Sequence, residues 1–284
     1  MPDLTVVIVN YNTRDKLQDC LMSLLANKDD LSLEIIVVDN NSSDGSGAMV
    51  AEFAEVTLLQ QTENTWFAGG NNIGVQQAHS DIVWLLNPDT VVPENSIRIQ
   101  LDYLKNNPQV GAVTCKQVHP DGDILPICSR ERQYIDMVLD YTFIGILFAT
   151  WKQARHAENF YYGWQRDTLK TVEIAPGSSI MVYREDLLSF GVFDENLQLY
   201  FNDDDLCHNI RALGKEIHYL PSAWITHYEK SSVRTQSQLA RQMYFADMLR
   251  YSQKHFGWVK TSLLKLLLIP TQVASYIKTQ IKRN

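Results

Sequence analysis

Asn202-Asp203-Asp204-Asp205-Leu206-Cys207 sets three consecutive carboxylates in front of an apolar run. Acids in a first helical turn gain from the helix dipole, and one of them suffices as a cap. Three exceed that need. Upstream, Leu85-Leu86-Asn87-Pro88-Asp89-Thr90 closes a hydrophobic run with an acid fixed by the preceding proline, beside an amide oxygen. That grouping suits a hard divalent cation that also takes phosphate oxygens, and it equally makes an ordinary turn. Asp39, ahead of Asn40-Asn41-Ser42-Ser43-Asp44-Gly45, can accept hydrogen bonds from a base N–H or a ribose hydroxyl, or cap the turn that follows. In Asn64-Thr65-Trp66-Phe67-Ala68-Gly69-Gly70-Asn71-Asn72-Ile73-Gly74, glycines would let a backbone approach a ligand, and a helix N-terminus favours a diphosphate. A well-capped loop is the other reading, since Asn is a good N-cap. His227, after Trp224-Ile225-Thr226, is a ligand candidate that by itself reads equally as a core or surface histidine.

These groups need elements to hold them. Leu4 to Asn10, Leu33 to Asp39, Val56 to Gln60, Ile82 to Asn87 and Val110 to Val118 are short and rich in β-branched residues, which predicts strands. Asp15 to Ala26, Ser46 to Ala54, Asn71 to Ala78 and Glu94 to Asn106 have helical spacing between them. The alternation predicts an α/β fold with a mainly parallel central sheet and helices on both faces, whose ligands sit at the carboxyl ends of the strands. Asn10, Asp39, Asn87 and Asp89 fall at or just past such ends. Beyond Asp121-Gly122 the pattern loosens: Tyr134 to Trp151 reads as one apolar helical stretch, Ile180 to Tyr183 as a strand, and Asp203 to Leu213 as a helix stopped by Gly214. Glu216 to Leu220 and Ala223 to His227 are two short strand candidates, and a long helix starts near Thr235.

Composition narrows the function. The 284 residues are 45% hydrophobic and 20% charged, an ordinary balance for a folded chain with a sizeable core. Four dispersed cysteines form no C-x-x-C pair, so neither structural zinc nor a disulfide framework is expected, and the setting expected is a reducing cytoplasm without a secretory signal. The net charge of −8 is uneven: residues 241–284 hold eight Lys/Arg and one acid, leaving 17 bases against 32 acids in residues 1–240. An acidic body argues against a nucleic-acid groove. The first βα turn, Asn10-Tyr11-Asn12, lacks the glycines of a dinucleotide-binding Rossmann site, which argues against most redox readings.

In order along the chain, VVIVNYN (6–12), IVVDNNSSDGS (36–46), NTWFAGGNNIG (64–74), LLNPDT (85–90), APGSSIMVYRE (175–185), FDENLQLYFNDDDLC (193–207) and His227 with Ser231 resemble the family-2 inverting glycosyltransferases of the GT-A fold, particularly their bacterial rhamnosyltransferase-like branch. The resemblance implies a GT-A catalytic domain over 1–232, with a nucleotide-binding half (1–120) and an acceptor-binding half (121–232), followed by a C-terminal helical, basic apolar tail (233–284). It implies Asp203 as catalytic base, Asp89 and His227 as ligands of Mg²⁺ or Mn²⁺, and Gly177 and Asp205 on the acceptor side. Asn10, Asn12, Asp39, Asn64, Gly69, Gly70, Asn71 and Asn87 would bind the nucleotide-sugar, a UDP or dTDP type donor. The acceptor implied is a glycan or lipid-linked hydroxyl, with no nucleic acid and a homodimer as an open option. Asn202 departs from the family, which has Glu there. That departure keeps a donor-binding pseudoenzyme as an alternative. A sugar-nucleotide pyrophosphorylase would need a Gly-rich, Arg-containing loop after the first strand, which this chain lacks.

The tail from Thr261 carries Leu263, Leu264, Leu266, Leu267, Leu268 and Ile269 among lysines, too short and too charged to span a bilayer. It is expected to lie on the membrane surface and hold the enzyme, peripherally, at the cytoplasmic leaflet, the alternative being a helix packed on the catalytic domain or on a second subunit. Pro270 is expected to break or kink any helix there.

Overall fold

The structure, a computed structural model, describes residues 1–228 and 237–281; Ser231 and the expected domain boundary at 232/233 lie outside them. The strands are β1 (Leu4–Asn10), β2 (Leu33–Asp39), β3 (Val56–Gln60), β4 (Ile82–Leu86), β5 (Thr90–Val91), β6 (Val110–Val118), β7 (Lys170–Val172), β8 (Ser179–Tyr183) and β9 (Glu216–His227). The helices are α1 (Arg14–Ala26), α2 (Ser46–Val50), α3 (Trp66–Gln77), α4 (Ser96–Asn106), α5 (Tyr134–Tyr141), α6 (Ile144–Leu147), α7 (Ala149–Asn159), α8 (Arg184–Ser189), α9 (Asn202–Ala212) and α10 (Ser237–Ile281).

The strands form one sheet in the order β3-β2-β1-β4-β8-β6-β9-β5, with β7 added on β9. β3, β2, β1 and β4 pair in parallel, as do β6 and β9, whereas β8 runs antiparallel between β4 and β6. Alternating side chains of β1 supply both faces. Val6 and Ile8 join Leu17, Leu21 and Leu24 of α1 and Ile97, Leu101 and Leu104 of α4. Val7 joins Ala68 and Val75 of α3 and Leu206, Cys207 and Ile210 of α9. Helices on both sides of a mostly parallel sheet are the expected architecture.

Several local expectations change. α3 begins at Trp66, five residues earlier than the spacing predicts, so Gly69, Gly70 and Gly74 lie inside a helix. A Cβ on Gly70 would come within 2.6 Å of Val9 Cγ1, and one on Gly74 within 2.3 Å of Val7 Cγ1. Gly70 and Gly74 therefore let α3 lie close on β1, a packing role in place of the expected approach to a ligand. The Tyr134–Trp151 stretch divides into three short helices. Glu216–His227 is one strand that carries a register shift against β6 between Cys115 and Lys116.

α10 covers a third core. Its first arm ends at Gly257, whose φ of +83° is open to glycine at little cost, and a second arm then runs through Pro270 to Ile281 rather than stopping there. Met248 and Tyr251 of the first arm and Leu264 and Leu268 of the second pack with Met137 and Val138 of α5 and with Leu197 and Phe201. Full burial of each leucine contributes about 1.5–3 kcal/mol. One face of the tail is therefore core, as the alternative reading of that segment anticipated.

Candidate active site

A cleft of about 420 Å³ opens at the carboxyl ends of β1, β2, β4 and β9. Val9 and Tyr11, Asn40, Asn64, Trp66 and Phe67, Asn87 to Asp89, Gly177, the segment 199–203 and His227 line it. Ala240 and Met243 of α10 close one side.

β5 is only two residues long, yet its antiparallel pairing sets Thr90 opposite His227 and so brings Asp89 beside that histidine. Asp89 Oδ1 and His227 Nε2 lie 3.3 Å apart, both residues being buried. His227 Nδ1 is 2.9 Å from Gln117 Oε1, and Gln117 Nε2 donates to Ser178 Oγ at 2.8 Å. An amide oxygen accepts only, so Nδ1 carries the proton and Nε2 turns its other valence toward Asp89. A carboxylate oxygen and an imidazole nitrogen converging on one point fit a divalent cation such as Mg²⁺ or Mn²⁺. Among the described residues no cluster of three or more His, Cys, Asp or Glu could hold a metal, so the remaining ligands would be phosphate oxygens and water.

Asp203 lines the same cleft from the start of α9. The segment before it is pinned from two sides: Asp247 of α10 accepts the N–H groups of Leu199 (2.9 Å) and Tyr200 (3.0 Å), and Phe67 N–H donates to Gln198 O at 3.1 Å. Gly177 lies between the Phe67 ring and Asp203, where an added Cβ would stand 3.2 Å from Phe67 Cζ and 3.7 Å from Asp203 Cβ. Burial pushes the Asp203 carboxyl above the usual carboxylate range, opposed by backbone N–H groups of Asp204 and Gly177 and by Arg132. Burial and the adjacent Asp203 charge push Asp204 up to about 7, with Arg132, whose Nε is 4.0 Å from Asp204 Oδ1, opposing. The two carboxyls thus share a strong tendency to hold one proton.

Other expected site residues are placed elsewhere. Asp39 is fully buried, and its oxygens accept from Asn10 Nδ2 (2.7 Å), Ser42 N (3.0 Å), Ser42 Oγ (2.6 Å) and Gln60 Nε2 (2.6 Å). Those four donors fill its lone-pair positions, so Asp39 and Asn10 build the wall behind the cleft instead of facing it. Asn12 accepts from the Ser43 N–H at 2.8 Å in the same turn. Asn71 donates to Phe67 O within α3. Gly69 is packed under Thr65, 3.1 Å from its Cβ for an added methyl group. Asp205 is turned away from the acceptor side: it binds Lys254 Nζ (2.9 Å) and His255 Nε2 (2.7 Å) of α10, an ion pair that latches that helix. Asn64 and Asn87 do line the cleft.

Sequence reasoning missed Asn40, Tyr11, Ala240 and Met243 as cleft residues. Asn40 follows Asp39 at a strand end, a signal that was present; its Oδ1 accepts from Thr65 N and Oγ1 and its Nδ2 donates to Trp66 O, fixing the start of α3. Ala240 and Met243 carry no local signal.

Asn202 lines the cleft at 3% exposure, and neither its Oδ1 nor its Nδ2 has a hydrogen-bond partner among the described residues. An unpaired buried amide costs about 1–3 kcal/mol. Asn202→Leu, with the same branching and number of heavy atoms, is therefore expected to raise the melting temperature by roughly 2–4 °C for each kcal/mol regained. A calorimetric scan showing a lower Tm would mean the amide is satisfied in solution.

Residues 5–169, more than half of the chain, match the family model described as glycosyl transferase family 2. The chain belongs to this family. A family-2 glycosyltransferase fold also agrees with the solved structures it is similar to. The mannosyltransferase PcManGT from Pyrobaculum calidifontis, in complex with GDP-Man and Mn²⁺, aligns over 89% of this chain and 64% of its own with a TM-score of 0.59 at 19% identity. GalNAc-T7 with UDP, GalNAc and Mn²⁺ aligns over 79% of this chain and 42% of its own with a TM-score of 0.60 at 14% identity. At those identities the likeness concerns the GT-A fold alone. By sequence the chain is similar to the O-antigen biosynthesis protein RfbC of Myxococcus xanthus, 26% identical over 240 residues. It is also similar to the poly-β-1,6-N-acetyl-D-glucosamine synthase of Staphylococcus aureus, 31% identical over 114 residues. These matches cover 82% and 39% of this chain but only 18% and 27% of the two relatives.

Proposed function

We propose that this family-2 protein is an inverting, divalent-metal-dependent glycosyltransferase. It moves a sugar from a nucleoside-diphosphate donor of the UDP or dTDP type to a hydroxyl of a glycan or lipid-linked acceptor in cell-surface polysaccharide synthesis. Rhamnose is the sugar suggested by the branch its motifs resemble. The observation that carries this reading is a single cleft lined by a partly buried carboxylate, Asp203, and by the converging Asp89–His227 pair. Residues 1–120 form the donor half, 121–232 the acceptor half and 233–284 the tail in this reading.

Asp89 and His227 would hold the cation, which when bound offsets charge growing on the departing diphosphate. Asn64, Asn87, Asn40 and Tyr11 border the donor side. Asp39 and Asn10 act indirectly, by fixing the strand-end turn that presents Tyr11 and Asn40. Asp203 accepts the proton of the attacking hydroxyl while its oxygen adds to the anomeric carbon on the face opposite the leaving group, a single displacement with inversion. Burial raises the basicity of Asp203, which suits it to that transfer near neutral pH. A thermal-shift screen of nucleotide-sugars with Mn²⁺ tests the assignment, since a ligand at about 100 times its Kd adds ~2.7 kcal/mol of stability. No shift with any nucleotide-sugar would sink it.

A pH dependence follows from the carboxyl pair. Transfer is expected to rise with pH as Asp203 and Asp204, both held above the usual carboxylate range, give up the proton they share. Asp204→Asn removes the neighbouring negative charge and should move that acid limb to lower pH. Stability runs the other way: the folded pair keeps a proton that an unfolded chain with carboxyls near ~3.9 has released. Its stabilising contribution is full below about pH 4 and lost as pH rises through the raised folded values, about 7 for Asp204. An acid limb in the pH profile that stays in place in the Asp204→Asn enzyme would remove the pair from the mechanism.

A further inference from the structure

The second arm of α10 has two unlike faces. With about 100° between successive residues, the buried Thr261, Leu264 and Leu268 fall within an arc of roughly 60°. Exposed Trp258, Val259, Leu263, Leu266 and Ile269 fill an arc of roughly 140° on the opposite side. Trp258 is 73% and Leu266 63% exposed. Lys260 and Lys265, both exposed, fall in the two gaps between these arcs, one at each edge of the apolar stripe. An ordinary surface helix turns a polar face outward, and this one turns an apolar face.

We propose that this outward face is a docking surface for an anionic lipid bilayer, with α10 lying in the interface rather than crossing it. Lysines at both edges of an apolar stripe can extend their ammonium groups to lipid phosphates while their stems and the stripe enter the acyl boundary. After Asp247 the sequence contains no acid, and Lys278, Lys282 and Arg283 add further bases. The remainder of the chain is strongly acidic, so attraction to an anionic surface is confined to this end. A second copy of the chain fits less well, because two such stripes paired about a two-fold axis would bring like charges together. The surface extends beyond the helix: Ile144, like Leu267, packs against the third core, and the residues after it, Ile146 (79% exposed), Leu147 and Phe148, are open. Among the described residues no helix is long and apolar enough to cross a membrane. Docking stands independently of the proposed glycosyl transfer. Where both hold, the first arm of α10, which lines the cleft through Ala240 and Met243, sets the cleft at a fixed place relative to lipid-borne acceptors.

The test is co-sedimentation of the full chain with vesicles of phosphatidylglycerol and phosphatidylcholine, and with phosphatidylcholine alone. Removing the tail would expose the core around Leu264 and Leu268, so exposed positions are substituted instead. The wild type should sediment with the anionic vesicles at low salt and be released at about 0.5 M salt, where the screening length is short. Leu263→Gln with Leu266→Gln should lower partitioning at least about tenfold. Lys260→Glu with Lys265→Glu should lower it roughly fivefold or more per lysine on anionic vesicles only. Both pairs should keep the wild-type Tm and the wild-type release of nucleoside diphosphate from soluble nucleotide-sugars. A wild type that stays in the supernatant with both vesicles, or variants that sediment as the wild type does, would overturn the proposal. So would a dimer, seen by ultracentrifugation, that the leucine substitutions dissociate, since a second copy would then cover the stripe.

Discussion

Replacing Asp203 by Asn is expected to lower glycosyl transfer by roughly 10²–10⁴-fold, the usual contribution of a positioned base. The substitution is conservative in this setting. Asp203 Oδ1 accepts the Asp204 N–H at 3.1 Å, and a carboxamide oxygen can keep that bond. The variant also loses the repulsion between two partly buried carboxylates, so its Tm should equal or exceed that of the wild type. Binding of nucleoside diphosphate with Mn²⁺ should be nearly unchanged, because Asp89 and His227 are untouched. Transfer kinetics alongside calorimetry separate these effects. Full turnover in the variant would pass the role to Asp204, because Asp205 is engaged by Lys254 and His255.

Asp89→Ala should act on the opposite half of the reaction, weakening Mn²⁺-dependent binding of UDP or dTDP by on the order of 100-fold or more. The cation would lose its carboxylate oxygen and keep only one protein ligand, His227. Because Asp89 and His227 are 3.3 Å apart in a buried setting, the histidine also loses its charged neighbour and the orientation that comes with it. His227→Ala should weaken the same binding less, since phosphate oxygens and water supply other ligands and the carboxylate stays. Titration calorimetry with and without Mn²⁺ reads both variants. Unchanged Mn²⁺-dependent affinity in Asp89→Ala would place the metal elsewhere or make binding metal-free.

The sequence by itself determined the sheet-and-helix alternation of the first 120 residues, because each strand there is a local run of β-branched residues and each helix carries its own spacing. The strands at Leu4–Asn10, Leu33–Asp39, Val56–Gln60 and Val110–Val118 have the bounds their composition predicts. It also pointed to the strand ends as the place for Asn87, Asp89 and their neighbours, since chain direction in a parallel sheet dictates which end is shared. Tertiary structure decided what pattern could not reach. β8 inserts antiparallel between two strands through contacts that no local run encodes. Asp39 looked like a ligand-facing carboxylate because a strand end is visible in sequence, but besides Ser42 of its own turn it is occupied by Asn10 of β1 and Gln60 of β3, which only the fold brings to it. Asp205 was indistinguishable from Asp203 in the run of three acids. Two positions apart on a helix, they point roughly 200° from each other, which sends one toward the cleft and aims the other so that α10, about 50 residues on, can bind it. The leucines of the tail could not be divided between core and surface until α5 and the first arm of α10 were in place, because amphipathic spacing marks a face without naming what meets it.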